Sequence, residues 1–210
     1  MSADKNTLIK IGISAAALAI LAYKLTGKKR GLVRRKVAGF ELGGTTCKVC
    51  LGEKIMDVDT GEVIVVKILK KKVISTQTPE ETIIGLLKFL ENEEFDELGI
   101  ASFGPLCLDA RAPNYGSVTS TPKKNWKDFP LLKFTQENVP RPLKRIAIDT
   151  DVNACAYVEF LHGQHEVKES LAYITVGTGV GVGLIINGKP VHGLIHPEGG
   201  HQKFISLPKS

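Results

Sequence analysis

The segment Ile174–Gly188 reads ITVGTGVGVGLIING. Glycine alternates through its middle, at Gly177, Gly179, Gly181 and Gly183. Glycine is used where backbone must turn unusually or where another group comes close. A dinucleotide fingerprint needs G-x-G-x-x-G opening a helix, and here its third glycine falls on Val182 or Leu184. No Gly-Lys-Ser/Thr follows, which excludes a Walker loop. The continuation Leu184-Ile185-Ile186 is apolar and closes in Asn187-Gly188, and Asn-Gly is the strongest short hairpin signal. The stretch is therefore strand, turn, strand. Its bare amides could cradle phosphates, or it could be a tight or bulged hairpin with no ligand.

Upstream of this hairpin the chain reads as one mixed α/β domain from Val37 onwards. Val37–Leu42, Cys47–Glu53 and Glu62–Leu69 have strand character, with Lys70-Lys71-Lys72 as a solvated strand end. Thr78-Pro79-Glu80-Glu81 is a helix start, with Thr78 as cap, proline at the first position and glutamate at the third. Ile83, Leu86, Leu87 and Leu90 follow as its apolar stripe. Leu98–Phe103 is a strand ending in Gly104-Pro105. Residues 106–129 lack periodicity, and so long a loop in a compact domain points to function. A helix near Leu131–Asn138, a strand at Arg145–Asp149, a helix at Val152–His162 and a strand at Leu171–Val176 complete the order βββαβαβαββ. That order gives a mixed sheet with helices on it.

Four cysteines in 210 residues do not form the pattern of a secreted disulfide scaffold. Cys47 and Cys50 make C-x-x-C, but residues three apart in a strand point to opposite faces, which favours core packing over metal or redox use. Cys107 and Cys155 read as lone buried thiols. The net charge of +6 is unevenly placed. Residues 1–36 hold nine Lys/Arg against Asp4 alone, whereas the remaining 174 hold 19 basic and 21 acidic residues. The body is nearly neutral and offers no nucleic-acid surface.

At the N-terminus, Ile11–Tyr23 is uncharged and apolar. A helix over Leu8–Leu25 would be about 27 Å long, close to the ~30 Å hydrocarbon core of a bilayer. The basic residues crowd its downstream side, which would hold the body in the cytosol. Residues 1–26 are thus expected to be a membrane-anchor helix, 27–36 a basic linker and 37–210 the domain. A cleaved signal peptide is the rival, but its charge should precede the apolar run. Basic flanks of this kind also suit the outer mitochondrial membrane.

A second glycine turn lies in FELGGTTCKVCLG, Phe40–Gly52. Thr45 and Thr46 follow Gly43 and Gly44, as Thr178 sits between Gly177 and Gly179. Two such turns, with carboxylates between them in the chain, suggest two clamps on one polyphosphate. Amides and threonine hydroxyls there would bind phosphate oxygens without a lysine.

Five stretches then carry a resemblance to a sugar kinase of the ROK family, in its fructokinase branch. ELGGTT (Glu41–Thr46) resembles the family's first phosphate motif, and IASFGPL (Ile100–Leu106) its strand ending in a Gly-Pro turn. NYGSVTSTPKKNWKDFPL (Asn114–Leu131) resembles a segment of the fructokinase branch, and DTDVNACAYVEF (Asp149–Phe160) the catalytic motif. ITVGTGVGVGLIING with HPEGGH (His196–His201) resembles the second phosphate motif and the sugar-binding turn after it.

The resemblance implies an α/β, actin-like and ribonuclease-H-like ATPase fold, here its first lobe and the start of the second. It implies ATP-dependent phosphorylation of D-fructose to fructose 6-phosphate, with magnesium. Asp151 matches the general base, which takes the proton of a weakly nucleophilic sugar hydroxyl. Its other reading is a plain N-cap. Asn153, Glu198 and His201 match sugar contacts. Gly43, Gly44, Thr45, Thr46, Gly177, Thr178 and Gly179 match phosphate contacts, with Thr46 standing where lysine is common. Zinc is expected in complete family members, held by the counterpart of His201 and three cysteines after it. No cysteine follows Cys155, so His201 is left as a lone possible ligand and no zinc is expected here. A homodimer is left open.

The resemblance covers about the first half of a family member and stops before the adenine-binding part. Little or no kinase activity is therefore expected of these 210 residues alone. The alternative is a non-catalytic, kinase-like chain that binds sugar or a full-length partner. A transcriptional regulator is excluded, because no helix-turn-helix pattern precedes the domain. The anchor is open to direct test. In cells, the full chain should resist carbonate extraction, with residues 37–210 cut by protease added from the cytosolic side. A freely extracted protein, or a shielded body, contradicts the anchor.

Overall fold

The computed structural model describes residues 32–58, 60–61, 63–163, 169–177, 179–192 and 199–201, without the side chains of Ile64, Val65 and His201. The apolar segment 8–25 lies outside them. No described helix is long and apolar enough to cross a membrane.

Five strands form the main sheet. They are β1 (Leu32–Leu42), β2 (Thr46–Asp57), β3 (Val63–Ser75), β4 (Glu97–Ser102) and β5 (Arg145–Thr150). Their spatial order is β3-β2-β1-β4-β5. The first three form antiparallel pairs, while β4 is parallel to both β1 and β5. Three helices follow the expected order: α1 (Pro79–Phe89), α2 (Leu131–Asn138) and α3 (Asp151–His162). Thr78 and Glu81 form the capping box of α1, and Ile83, Leu86, Leu87 and Leu90 are all buried.

Strand periodicity divides the sheet into two unlike faces. Phe40, Leu42, Leu98, Ile100 and Ile148 join Ile83, Leu86 and Leu131 in the larger core. The other face carries Val37, Cys50, Ala101 and Ala147 against Ala154 and Cys155 of α3. Small residues on this side let the start of α3 come close to the sheet. Cys47 and Cys50 fall in opposite cores, and neither is in a disulfide. Burial pushes the Cys50 thiol up to about 12. Cys155 is buried too, whereas Cys107 is only half-buried and contacts Asn114 Oδ1 at 3.2 Å.

The strands run further than their apolar cores suggest. β1 begins at Leu32 and draws the end of the basic stretch into the sheet. Arg35 bonds Glu97 at 3.1 Å, and Glu97 also takes a buried bond from Lys54 at 2.5 Å. Lys70-Lys71-Lys72 is not a strand end, because β3 continues to Ser75. Lys70 instead bonds Glu93 at 2.6 Å and lies over the Phe89 ring. The loop 106–129 is irregular, as expected, yet pinned. Trp126 is fully buried, donates Nε1–H to the Gln77 carbonyl and meets Phe103 and Phe129 edge-on.

A second antiparallel sheet, β6 (Ser170–Val176), β7 (Val180–Ile186) and β8 (Lys189–Pro190), packs on α3. Asn187 and Gly188 both have positive φ, 50° and 73°, as a type I′ turn requires. Ile185 is fully buried against Ala156 and Tyr157 of α3. Its neighbour Ile186 faces the other way and is 50% exposed, in line with Ile174, Val176 and Val180.

Candidate active site

The glycines of ITVGTGVGVGLIING divide into two kinds. Gly181 and Gly183 sit in β7 facing the start of α3. A Cβ at Gly183 would lie 2.2 Å from the Val152 carbonyl oxygen, and one at Gly181 2.7 Å from the Val152 side chain. Their task is to let helix backbone lie against strand backbone. Gly177 and Gly179 form the turn itself, with the Gly177 amide bonded to the Gly179 carbonyl at 2.9 Å. A Cβ on either would meet nothing within 4 Å. Phosphate binding therefore stays open at these two positions, while Thr178 between them lies outside the described residues.

The helix thus held close carries the carboxylates. Thr150 is the N-cap of α3, its Oγ1 accepting from the Asn153 amide at 3.2 Å. Asp151 is consequently the first helical residue and not the cap, which removes the plain-cap reading. Its Oδ1 accepts from the Val152 amide at 2.9 Å, and the helix start favours an anion at this position. One residue before the cap, Asp149 is 1% exposed. Asp149 Oδ1 accepts from the Thr150 amide at 2.8 Å and from Asn153 Nδ2 at 3.1 Å. Asp149 Oδ2 pairs with His192 Nε2 at 2.9 Å, joining the segment after β8 to the main sheet. Asn153 is buried, and its Oδ1 has no hydrogen-bond partner.

Across the main sheet, the turn between β1 and β2 completes the group. The Gly43 amide bonds the Thr46 carbonyl at 3.1 Å, and a Cβ on Gly43 would sit 2.6 Å from that oxygen. Gly44 has open space beside it. Lys123, from the pinned loop, donates to the Gly44 carbonyl and approaches the Phe103 ring. Glu41, at the end of β1, is buried, and its Oε1 accepts from Lys48 at 3.1 Å. Its Oε2 is buried with no partner. Burial raises the Glu41 carboxyl above its ordinary value; Lys48 opposes the shift, and the charge of Asp151 adds to it. Tyr115 is raised by burial and then by Asp149. Glu41, Asp151, Asp149 and the 106–129 loop therefore share one electrostatic neighbourhood.

Of the residues expected from sequence, Asp151 and Asn153 come together at the start of α3. Gly43, Gly44, Thr45 and Thr46 form or flank the first turn. Glu198 lies outside the described residues. His201 closes a short 3₁₀ turn, Gly199–His201, that packs against β7, and its side chain is outside the described set. Among the described residues, no group of three or more His, Cys, Asp and Glu side chains could hold a metal ion. Sequence reasoning gave no role to Asp149, His192, Lys48 or Lys123. Asp149 lies within the quoted DTDVNA stretch, while the other three meet partners that no short spacing announces.

The ROK family model matches residues 37–208, and the chain belongs to the ROK family. Its fold is the α/β fold of ROK sugar kinases, within the actin-like ATPases. A fructokinase of Zymomonas mobilis subsp. mobilis is 42% identical over 141 residues, covering 64% of this chain and 46% of its own. A putative fructokinase of Bacillus subtilis is 35% identical over 165 residues, covering 79% and 51%. The crystal structure of a ROK family glucokinase from Streptomyces griseus, in complex with glucose and AMPPNP, matches with a TM-score of 0.61 at 26% identity, over 81% of this chain and 51% of its own. The chain thus spans about half the length of the curated relatives it matches.

The glycine division predicts unequal costs for one chemical change. Gly183→Ala forces a methyl into the Val152 backbone and should destabilise the domain by about 1–3 kcal/mol, the overpacking range. Gly179→Ala should cost less than about 0.5 kcal/mol. Denaturant unfolding of residues 32–210 checks both. Equal losses would contradict the packing role.

Proposed function

We propose that this chain carries the sugar-side half of an ATP-dependent fructokinase, which transfers the terminal phosphoryl group of ATP to D-fructose and yields fructose 6-phosphate. The single observation that carries this reading is the start of α3. Thr150 takes the cap, Asp151 stands at the helix start, and the buried Asn153 Oδ1 beside it is unpartnered. A sugar hydroxyl needs a group that accepts its proton and another that fixes its direction. Asp151 supplies the first as general base and Asn153 the second. Placement at a helix start favours an anion at Asp151.

The nucleotide would lie with its phosphates between the two glycine turns, where the open space beside Gly44, Gly177 and Gly179 suits phosphate oxygens. Magnesium would enter with it. The orphaned Glu41 Oε2, with Asp151 close by, is the carboxylate oxygen that fits the ion. Held there by Glu41, magnesium would supply positive charge against the transferring phosphoryl group. Fructose as substrate rests on the fructokinase relatives. Glu198 and His201 as further sugar contacts, and the anchor through residues 8–25, belong to the same proposal.

A second reading is a non-catalytic chain that associates with a kinase-like partner or with its own copy. Its support is the outer face of the second sheet, where Ile174, Val176, Val180 and Ile186 stand exposed, Val176 at 80%.

Asp151→Asn separates the readings. In a form extended to the length of its relatives, the variant should retain fructose affinity and lose turnover by a factor of ~10² or more. A coupled assay that returns a near-normal kcat removes Asp151 from the role of base.

A further inference from the structure

Asn153 presents two faces, and the structure determines which one a ligand meets. Its amide lies 3.1 Å from Asp149 Oδ1. A carboxylate oxygen only accepts, so the end of the amide that faces it is the NH₂ group. The carbonyl oxygen is therefore turned away, buried and without a hydrogen-bond partner. A buried acceptor left unmade costs free energy, and such groups persist where a ligand completes them. The arrangement holds only while Asp149 keeps its orientation. Its Oδ1 is held by the Thr150 amide at 2.8 Å. Its Oδ2 is held by His192 Nε2 at 2.9 Å, from the segment after β8 and 43 residues along the chain. The ring is 34% exposed, so it reaches the buried carboxylate from the solvent side.

We infer that His192 is a positioning residue: through Asp149 it fixes the Asn153 amide so that only its carbonyl oxygen faces the sugar, and the site thereby selects a hydroxyl that donates. This rests on the sugar-kinase reading for its ligand but not for its geometry. His192 itself touches no reacting atom. Removing it takes away the imidazole that holds Oδ2, so the carboxylate is held less firmly in its orientation. The Asn153 amide can then turn, offering NH₂ or C=O to the substrate without preference.

The test uses the full 210-residue chain in two arms. Calorimetry compares D-fructose with the monofluorinated fructoses in which each hydroxyl is replaced in turn by fluorine, which cannot donate. For the unaltered chain, one fluorosugar should bind about tenfold more weakly than fructose, the scale of one buried hydrogen bond. His192→Ala should abolish most of that difference. His192→Gln, whose amide can still donate to Asp149, should restore it. The second arm needs no ligand. In ¹⁵N spectra the Asn153 side-chain NH₂ should exchange slowly with solvent, and His192→Ala should speed that exchange. Should His192→Ala fail to fold, Asp149→Asn replaces it. The isosteric amide can donate to Asn153 Oδ1 and release the Asn153 side chain to turn, so the same loss of selectivity is expected. An exchange rate and a fluorosugar profile that these variants leave unchanged would overturn the positioning role. An unaltered chain that binds no fructose would overturn the sugar reading, with the positioning role still read from exchange.

Discussion

Gly183 lies against the carbonyl of Val152 with no room for a side chain, since a Cβ there would sit 2.2 Å from that oxygen. The rest of the site depends on this backbone contact. It seats the second sheet on the first turn of α3, the same turn that holds Asp151 and Asn153. β7 is therefore more than one arm of a glycine turn. The strand that leaves Gly177 and Gly179 open also fixes where the proposed base stands. Any larger residue at 183 would displace glycine turn and carboxylate together.

Around this contact the chain separates structural charge from working charge. Glu97 receives Lys54 and Arg35, and its pairing is internal to the sheet. Breaking the buried Lys54–Glu97 pair is costly, and the half-exposed Arg35 links the basic start of β1 to the same carboxylate. Near α3 the pattern differs. Glu41 is paired through one oxygen and orphaned at the other, and Asn153 keeps an unused acceptor. Incomplete satisfaction within a buried site is what a polar ligand requires. The small residues on this face, Ala101, Ala147 and Ala154, allow the helix start close enough for Asp149, Thr150 and Asn153 to bond one another.

Local chemistry was legible in the sequence; long-range pairing was not. The capping box announced α1, Asn187-Gly188 announced the hairpin, and strand alternation sent Cys47 and Cys50 to opposite cores. DTDVNA placed Asp151 at a helix start, although the cap fell to Thr150. The alternating glycines concealed two tasks under one pattern, because sequence shows where a side chain is missing and not what fills the space. β1 was read too short for a related reason. Arg34 and Arg35 look like linker until Glu53 and Glu97 are seen beside them. His192 and Lys123 were invisible as site neighbours because their partners, Asp149 and Gly44, are 43 and 79 residues away.

The central claim is that the start of α3 is where the sugar hydroxyl is held for phosphoryl transfer. The most direct measurement is a crystal structure of residues 32–210 with D-fructose bound. A fructose hydroxyl should lie within about 2.6–3.2 Å of the Asp151 carboxylate, with a second hydroxyl directed at Asn153 Oδ1. Fructose seated elsewhere, with Asp151 and Asn153 untouched, would contradict the account.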